Sequence, residues 1–183
     1  MKTQYYTATS LDGFIADENN SLDWLFMHGE PDETNADIPR FMSGVGAMAM
    51  GSTTYEWILD FENLLDEPGK WAYDMPAWVF TSRDLPAVEG ADIRFVRGNV
   101  APVHASMREA AGDKNIWLVG GGDLVGQFYE QALLDEIIAT VAPVTLGDGA
   151  PLLPRRIVDP PLRLTDVRRY AGVFAQLTYD VRR

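Results

Sequence analysis

Residues 116–131 read IWLVGGGDLVGQFYEQ: an apolar run, three consecutive glycines, then a helix-like pattern carried by Leu124, Phe128 and, just beyond, Ala132 at a spacing of four. A strand handing over directly to a helix, with the most permissive residues at the junction, favours architectures in which strands and helices alternate. Glycines at such a junction allow close backbone approach, and the helix start behind them offers unpaired N–H groups and a partial positive charge. Gly120, Gly121 and Gly122, followed by Asp123, Leu124 and Val125, can therefore hold a diphosphate on bare amides. The same residues also make a tight turn with no ligand, and the stretch taken alone does not choose.

Two familiar phosphate loops are excluded. A P-loop ends in Gly-Lys-Ser/Thr, and neither the lysine nor the hydroxyl is present here. A dinucleotide fingerprint places its third glycine five positions after the first, where this chain has Val125, and it needs an acidic residue ending the next strand, which reads IIATVAPV.

The alternation runs through the chain. TQYYTAT (3–9), GFIA (13–16), GAMAM (46–50), AWVFTS (77–82), ADIRFV (91–96), residues 115–119 and LDEIIATVAPV (134–144) read as strands. Helices are expected over 33–44, with Pro39 near the start or at a kink, over 52–60, over 102–112 and after the glycines. LRLTDVRRY and VFAQLTYDV flank Ala171-Gly172 as a closing hairpin, and TLGDGAPLLP (145–154) is a Gly/Pro loop. The expectation is one α/β domain over 1–183: a mostly parallel twisted sheet with an antiparallel C-terminal edge and helices on both faces. Ligands in such sheets sit beyond the carboxyl ends of the strands. Two further strand ends suit an anion, MGSTTYEW with Gly51 and its hydroxyls, and VFTSR with Arg83 as the guanidinium contact.

A net charge of −12 lacks the basic footprint of a nucleic-acid or anionic-membrane surface. The chain has no cysteine, so disulfides, thiolate metal sites and a cysteine nucleophile are excluded. No run approaches the roughly 18 apolar residues of a membrane span, and the N-terminus lacks a signal-peptide core, so a cytoplasmic protein is expected. His28 and His104 have no partners at metal-ligand spacing, and His104 is expected on a helix surface. No G-x-S-x-G elbow marks a hydrolase.

Taken in order, TSLDGFIAD, AMAMGSTTYEW, VFTSR, IWLVGGGDLVGQFYEQALLDEI and TLGDGAPLLP resemble the dihydrofolate reductase superfamily over nearly the whole chain. The closer resemblance is to the reductase domain of the bifunctional riboflavin-biosynthesis deaminase-reductase. That resemblance implies a homodimer binding NADPH for hydride transfer to a pterin-like or ribosylamino-pyrimidine substrate. It places Ala8 and Ile15 beside the nicotinamide, Gly51, Thr53, Thr54 and Tyr55 at the cofactor phosphates, and Thr81, Ser82 and Arg83 near the adenosine ribose. Gly120, Gly121 and Gly122, with the amides of Asp123, Leu124 and Val125, carry the diphosphate, and a cis peptide joins the first two glycines.

Three features depart from the pattern. Ser52 stands where relatives of dihydrofolate reductase often carry an arginine for the 2′-phosphate. The acids of EPDETNADIPRF offer no clear match to the carboxylate that holds a pterin, and the deaminase domain is absent from this sequence.

Hydride transfer asks the protein for positioning and a proton. Asp12, in the SLDG turn, is the candidate for orienting substrate or relaying that proton, and it equally suits a turn cap. Asp23 and Trp24 are candidate pocket residues, with a core position as the alternative for Trp24. Gly147 and Gly149 either shape the substrate end or sit in a plain loop. A nucleotide-binding protein of the same fold without turnover, and an interaction domain whose glycines serve only the turn, are the competing readings.

Overall fold

A computed structural model describes residues 1–27, 32–170 and 173–183. The elements are β1 (Thr3–Thr9), β2 (Phe14–Ala16), α1 (Asp23–Phe26), α2 (Asp32–Ser43), β3 (Val45–Gly51), α3 (Ser52–Phe61), a 3-10 turn (Pro68–Lys70), β4 (Ala77–Phe80), β5 (Ile93–Val96), α4 (Val100–Ala111), β6 (Asn115–Gly120), α5 (Gly122–Glu130), β7 (Glu136–Val141), β8 (Ala150–Pro151), β9 (Arg163–Tyr170) and β10 (Phe174–Asp180). Eight strands form one sheet in the order β5-β4-β3-β6-β1-β7-β10-β9. The first six run parallel, and β10 is antiparallel to both β7 and β9. This is the expected α/β architecture with its antiparallel C-terminal edge.

Strand periodicity divides the apolar residues between two faces. Ala47, Ala49, Trp78, Ile116 and Leu118 point to one, where α4 and α5 add Val100, Met107, Leu124, Val125 and Phe128. Met48, Met50, Ala77 and Val79 point to the other, under Tyr55, Ile58 and Leu59 of α3. Full burial of a side chain such as Phe128 contributes roughly 1.5–3 kcal/mol, so α5 is anchored largely by Leu124, Val125 and Phe128. Its position fixes the glycine junction above β6.

The elements differ from expectation in instructive places. β4 ends at Phe80 because the Thr81 hydroxyl accepts the Arg83 amide at 2.9 Å and turns the chain. β7 ends at Val141, two residues before Pro143. The Gly/Pro loop contains β8, which pairs antiparallel with β2. Pro39 lies well inside α2 rather than near its start. α4 begins at Val100, capped by Asn99, whose side chain accepts the Ala101 amide at 2.8 Å. That start puts Val100, His104, Met107 and Ala111 on the buried stripe, so His104 is buried, not on the surface. Its Nε2 lies 2.8 Å from the Thr3 hydroxyl, and its ring meets Phe128 edge-on. The expected Ala171-Gly172 turn and His28 fall outside the described residues.

Candidate active site

A cavity of about 600 Å³ opens where β3, β6 and β1 end, between the first turns of α3 and α5 and the β2–β8 ribbon. Gly51 is the N-cap of α3 and Gly121 the N-cap of α5, and neither helix start is closed by a side-chain hydrogen bond. The two caps nearly touch: a Cβ on Gly51 would lie 3.8 Å from the Gly121 nitrogen. Two sets of unsatisfied helix-start N–H groups therefore face one cleft, and their dipoles add there. A cis peptide joins Gly120 and Gly121, as the resemblance implied.

The three glycines answer to different neighbours. A Cβ on Gly121 would meet nothing within 4 Å, so its Cα is open. A Cβ on Gly120 would lie 3.4 Å from the Thr54 hydroxyl. On Gly122 it would collide with the Pro151 carbonyl at 2.3 Å and the Leu152 carbonyl at 2.5 Å. Gly122 thus serves the packing of α5 against the segment carrying β8, while Gly121 leaves room for something else.

Of the residues singled out from sequence, Ile15, Gly51, Thr53, Thr54, Gly120, Gly121, Gly122, Asp123 and Leu124 line this cavity. Tyr55 and Val125 do not; both side chains are fully buried in the core, with the Tyr55 hydroxyl donating to the Pro86 carbonyl at 2.7 Å. Ala8, in β1 beside the lining residue Thr7, does not itself line the cavity. Thr81 and Arg83 border a second, smaller cavity of about 320 Å³, with Phe95 and Arg97, and the exposed Ser82 lies between them in sequence. Arg83 is not a free cation there: its two terminal nitrogens donate to Glu56 at 2.8 and 2.6 Å.

Asp12 is also outside the cleft wall, and its carboxylate is fully engaged. It accepts the Ser10 hydroxyl at 2.6 Å, the Gly147 amide at 2.8 Å and the Leu146 amide at 3.1 Å. The Ser10 hydrogen bond and those amides hold its acidity below the ordinary carboxylate range. Its ionised carboxylate ties the SLDG turn to the 145–154 loop, which is the turn-capping position that the sequence offered beside the orienting or relaying one. Trp24 is buried with Ala142 and Phe174, and neither it nor Asp23 lines the cleft. Gly147 is bound by Asp12, and Gly149 abuts the Ala16 carbonyl, so both position the 145–154 loop; Ala150, Pro151 and Pro154 are its cleft residues.

The sequence reading missed Trp57, Ile58, Tyr73, Asn20 and Leu22, all of which line the cavity. Trp57 and Ile58 were legible, since they sit one turn beyond Thr53 and Thr54 on the helix that starts at the cleft. Tyr73 arrives from an irregular segment and carries no local signal. Among the described residues that line the cavity only Asp123 is charged, and Gln127 and Arg155 hold it ionised. Among the described residues no cluster of histidine and carboxylate side chains is placed to hold a metal ion, and no helix is long and apolar enough to cross a membrane.

Residues 56–174 match the family model of the RibD C-terminal domain. The chain belongs to the RibD C-terminal domain family. Across that family, the Bacillus subtilis (strain 168) protein YwjB, itself uncharacterized, is 34% identical over 179 residues, covering 97% of each chain. A candidate riboflavin biosynthesis protein from Shewanella sp. PV-4 superposes over all of both chains with a TM-score of 0.82 at 26% identity. Dihydrofolate reductase from Enterococcus faecalis, complexed with NADP(H), shares the fold, with a TM-score of 0.61 at 14% identity over 98% of this chain and 95% of its own. This RibD C-terminal domain therefore has a dihydrofolate reductase-like fold, and its family is reductase-like.

Proposed function

We propose that this RibD C-terminal domain is an NADPH-dependent reductase that delivers a hydride to a small heterocycle. The observation that carries the reading is the convergence of two glycine-capped helix starts on one cleft, with the Gly121 Cα open to it. A diphosphate needs such donors and such room. Gly120, Gly121 and Gly122 and the amides of Asp123, Leu124 and Val125 hold it in this reading. Gly51, Thr53, Thr54 and the Tyr55 main chain contribute from α3, Ala8 and Ile15 border the nicotinamide, and Thr81, Ser82 and Arg83 flank the adenosine. When bound, the dihydronicotinamide supplies a hydride to a carbon of the acceptor, whose neighbouring nitrogen takes a proton. Asp12, at the turn beside the 145–154 loop, orients the acceptor or relays that proton in this reading.

The protein's own contribution is positioning and exclusion of bulk water, which is most of what hydride transfer requires. A fluorescence titration with NADPH and NADH tests the reading. Binding in the micromolar range is expected; absence of binding by about 1 mM, where association is worth only roughly 4 kcal/mol, removes it. Among the described residues Asp123 is the one acid in the cleft wall, which favours one alternative, a nucleotide-binding protein without turnover. NADPH consumption in the presence of an acceptor separates the two. The same reading carries a cytoplasmic homodimer formed by one domain per chain, which sedimentation analysis tests.

A further inference from the structure

α5 presents one stripe to the segment that follows β8: Asp123, Gly126, Gln127 and Glu130, at the three- and four-residue spacing that lines up side chains on a helix face. Two glycines on this helix make the approach close. Gly122 faces the Pro151 and Leu152 carbonyls, and Gly126 faces the guanidinium of Arg155. A Cβ at Gly126 would lie 2.6 Å from the Arg155 Cζ and 2.7 Å from its Nε, so the guanidinium occupies the space that a side chain there would take.

All three guanidinium nitrogens are committed. Nη2 donates to Asp123 at 3.0 Å, Nε to Glu130 at 2.6 Å and Nη1 to the Pro154 carbonyl at 3.0 Å. A planar fork serves three directions at once, which a lysine ammonium on a flexible stem does not reproduce.

This contact borders the cleft, because Asp123, Gln127 and Pro154 all line the cavity. Gln127 and then Arg155 hold the Asp123 carboxyl below the ordinary carboxylate range, so it is ionised at neutral pH. A bare carboxylate in the first turn of α5 would offset the positive end of that helix and repel an anion brought to its amides. The Arg155 guanidinium, 3.0 Å away, supplies the compensating charge.

We infer that Arg155 is a positioning residue of the diphosphate site: it holds and neutralises the Asp123 carboxylate, so that the start of α5 stays attractive to an anion, and Gly126 is the seat that makes this possible. The inference rests on the proposed function only in naming NADPH as the carrier of that anion. It also gives Gly126 a purpose separate from that of the three glycines at the junction.

NMR titrations of the full chain with inorganic pyrophosphate and with NADPH, read at the amides of Gly122, Asp123, Leu124 and Val125, test it. At low ionic strength Arg155→Met should weaken both ligands by about three- to tenfold, with the difference shrinking as salt screens the carboxylate. Adding Asp123→Asn to that variant should bring affinity back to within about twofold of the parent, although the loop contact stays lost. Gly126→Ala, which displaces the guanidinium without removing it, should weaken both ligands in the same direction. Parent-like binding by Arg155→Met overturns the inference. A loss that Asp123→Asn does not restore overturns it too, since that loss would come from the loop and not from the charge. Pyrophosphate separates this claim from the reductase reading. If the parent takes pyrophosphate and not NADPH, with loss and rescue intact, the reductase reading falls alone; if NADPH binds and Arg155→Met leaves it unchanged, this inference falls alone. A parent that takes neither ligand by about 10 mM overturns both.

Discussion

Glu56 receives both terminal guanidinium nitrogens of Arg83, at 2.8 and 2.6 Å, across the gap between α3 and the end of β4. The arginine that the sequence offers to a cofactor phosphate is thus already neutralised by a carboxylate one turn into α3. Both partners are substantially exposed, so the pair contributes little to stability, about 0–1 kcal/mol. Its consequence lies in selectivity. In the NADPH reading, with Ser52 in place of an arginine, Glu56 competes with the 2′-phosphate for the Arg83 guanidinium. Glu56→Gln should therefore leave thermal unfolding nearly unchanged and raise NADPH affinity relative to NADH by about three- to tenfold, of the order of 1 kcal/mol. Arg83→Ala should move the ratio the other way. Paired titrations of the two cofactors give the answer, and an unmoved ratio in both variants would exclude Arg83 from the phosphate's surroundings.

Gly121 and Gly122 are neighbours with opposite sensitivities. At Gly121, φ −78° and ψ 173° suit any residue, and a Cβ would enter open space. Gly121→Ala should fold normally and lose cofactor affinity by about tenfold or more, because the methyl group occupies the diphosphate's place. At Gly122 the added methyl would sit 2.3 Å from the Pro151 carbonyl oxygen, and backbone cannot swing away as a side chain can. Gly122→Ala should destabilise the fold by about 1–3 kcal/mol, the usual range for overpacking. Chemical denaturation and cofactor titration on both variants resolve the two roles; a Gly121→Ala protein that binds normally would contradict the diphosphate assignment.

The sheet was legible because its signals are periodic. Met48 and Met50 against Ala47 and Ala49 already encode a strand buried on both faces, and the glycine junctions mark where strands become helices. Long-range contacts were not legible. Nothing near Asp12 in sequence indicates that its partners are the amides of Leu146 and Gly147, and nothing near Arg83 points to Glu56. His104 lies between these cases. The 100, 104, 107, 111 spacing puts it on the buried stripe, but only if α4 begins at Val100, and Pro102 draws the eye to a later start.

The clamp made by Asp12 has a pH signature. Its carboxyl is more acidic in the folded protein than the ordinary value of 3.8, first because of the Ser10 hydroxyl and then because of the loop amides. A depressed carboxyl stabilises the fold above the unfolded-state value, and that contribution is lost as pH falls through the lower, folded-state value. The clamp should therefore be intact at neutral pH and release only in acid below 3.8. Asp12→Ala should reproduce the release at neutral pH. Hydrogen exchange reads it directly: the Leu146 and Gly147 amides should exchange faster in the variant, while amides of β1 and β6 stay protected. If cofactor-independent exchange at Leu146 and Gly147 is the same in both proteins, the clamp does not hold the loop.

His104 produces the opposite pH window to that of an ordinary ion-paired histidine. Burial against Phe128 lowers its basicity below the ordinary 6.5, and Arg108 lowers it further, against a smaller opposing pull from Asp135. The fold therefore prefers the neutral ring, which also keeps its contact with the Thr3 hydroxyl. Because the folded-state value lies below the unfolded one, the contribution is present above about 6.5 and is lost as pH falls through the folded-state value. His104→Gln keeps a hydrogen-bonding group beside Thr3 but removes the titration. The difference in unfolding temperature between parent and variant should be constant from pH 7 to 8 and shrink steadily toward pH 5. A difference that stays flat down to pH 5 would mean that His104 accepts its proton in place, and that the buried stripe of α4 accommodates a charge.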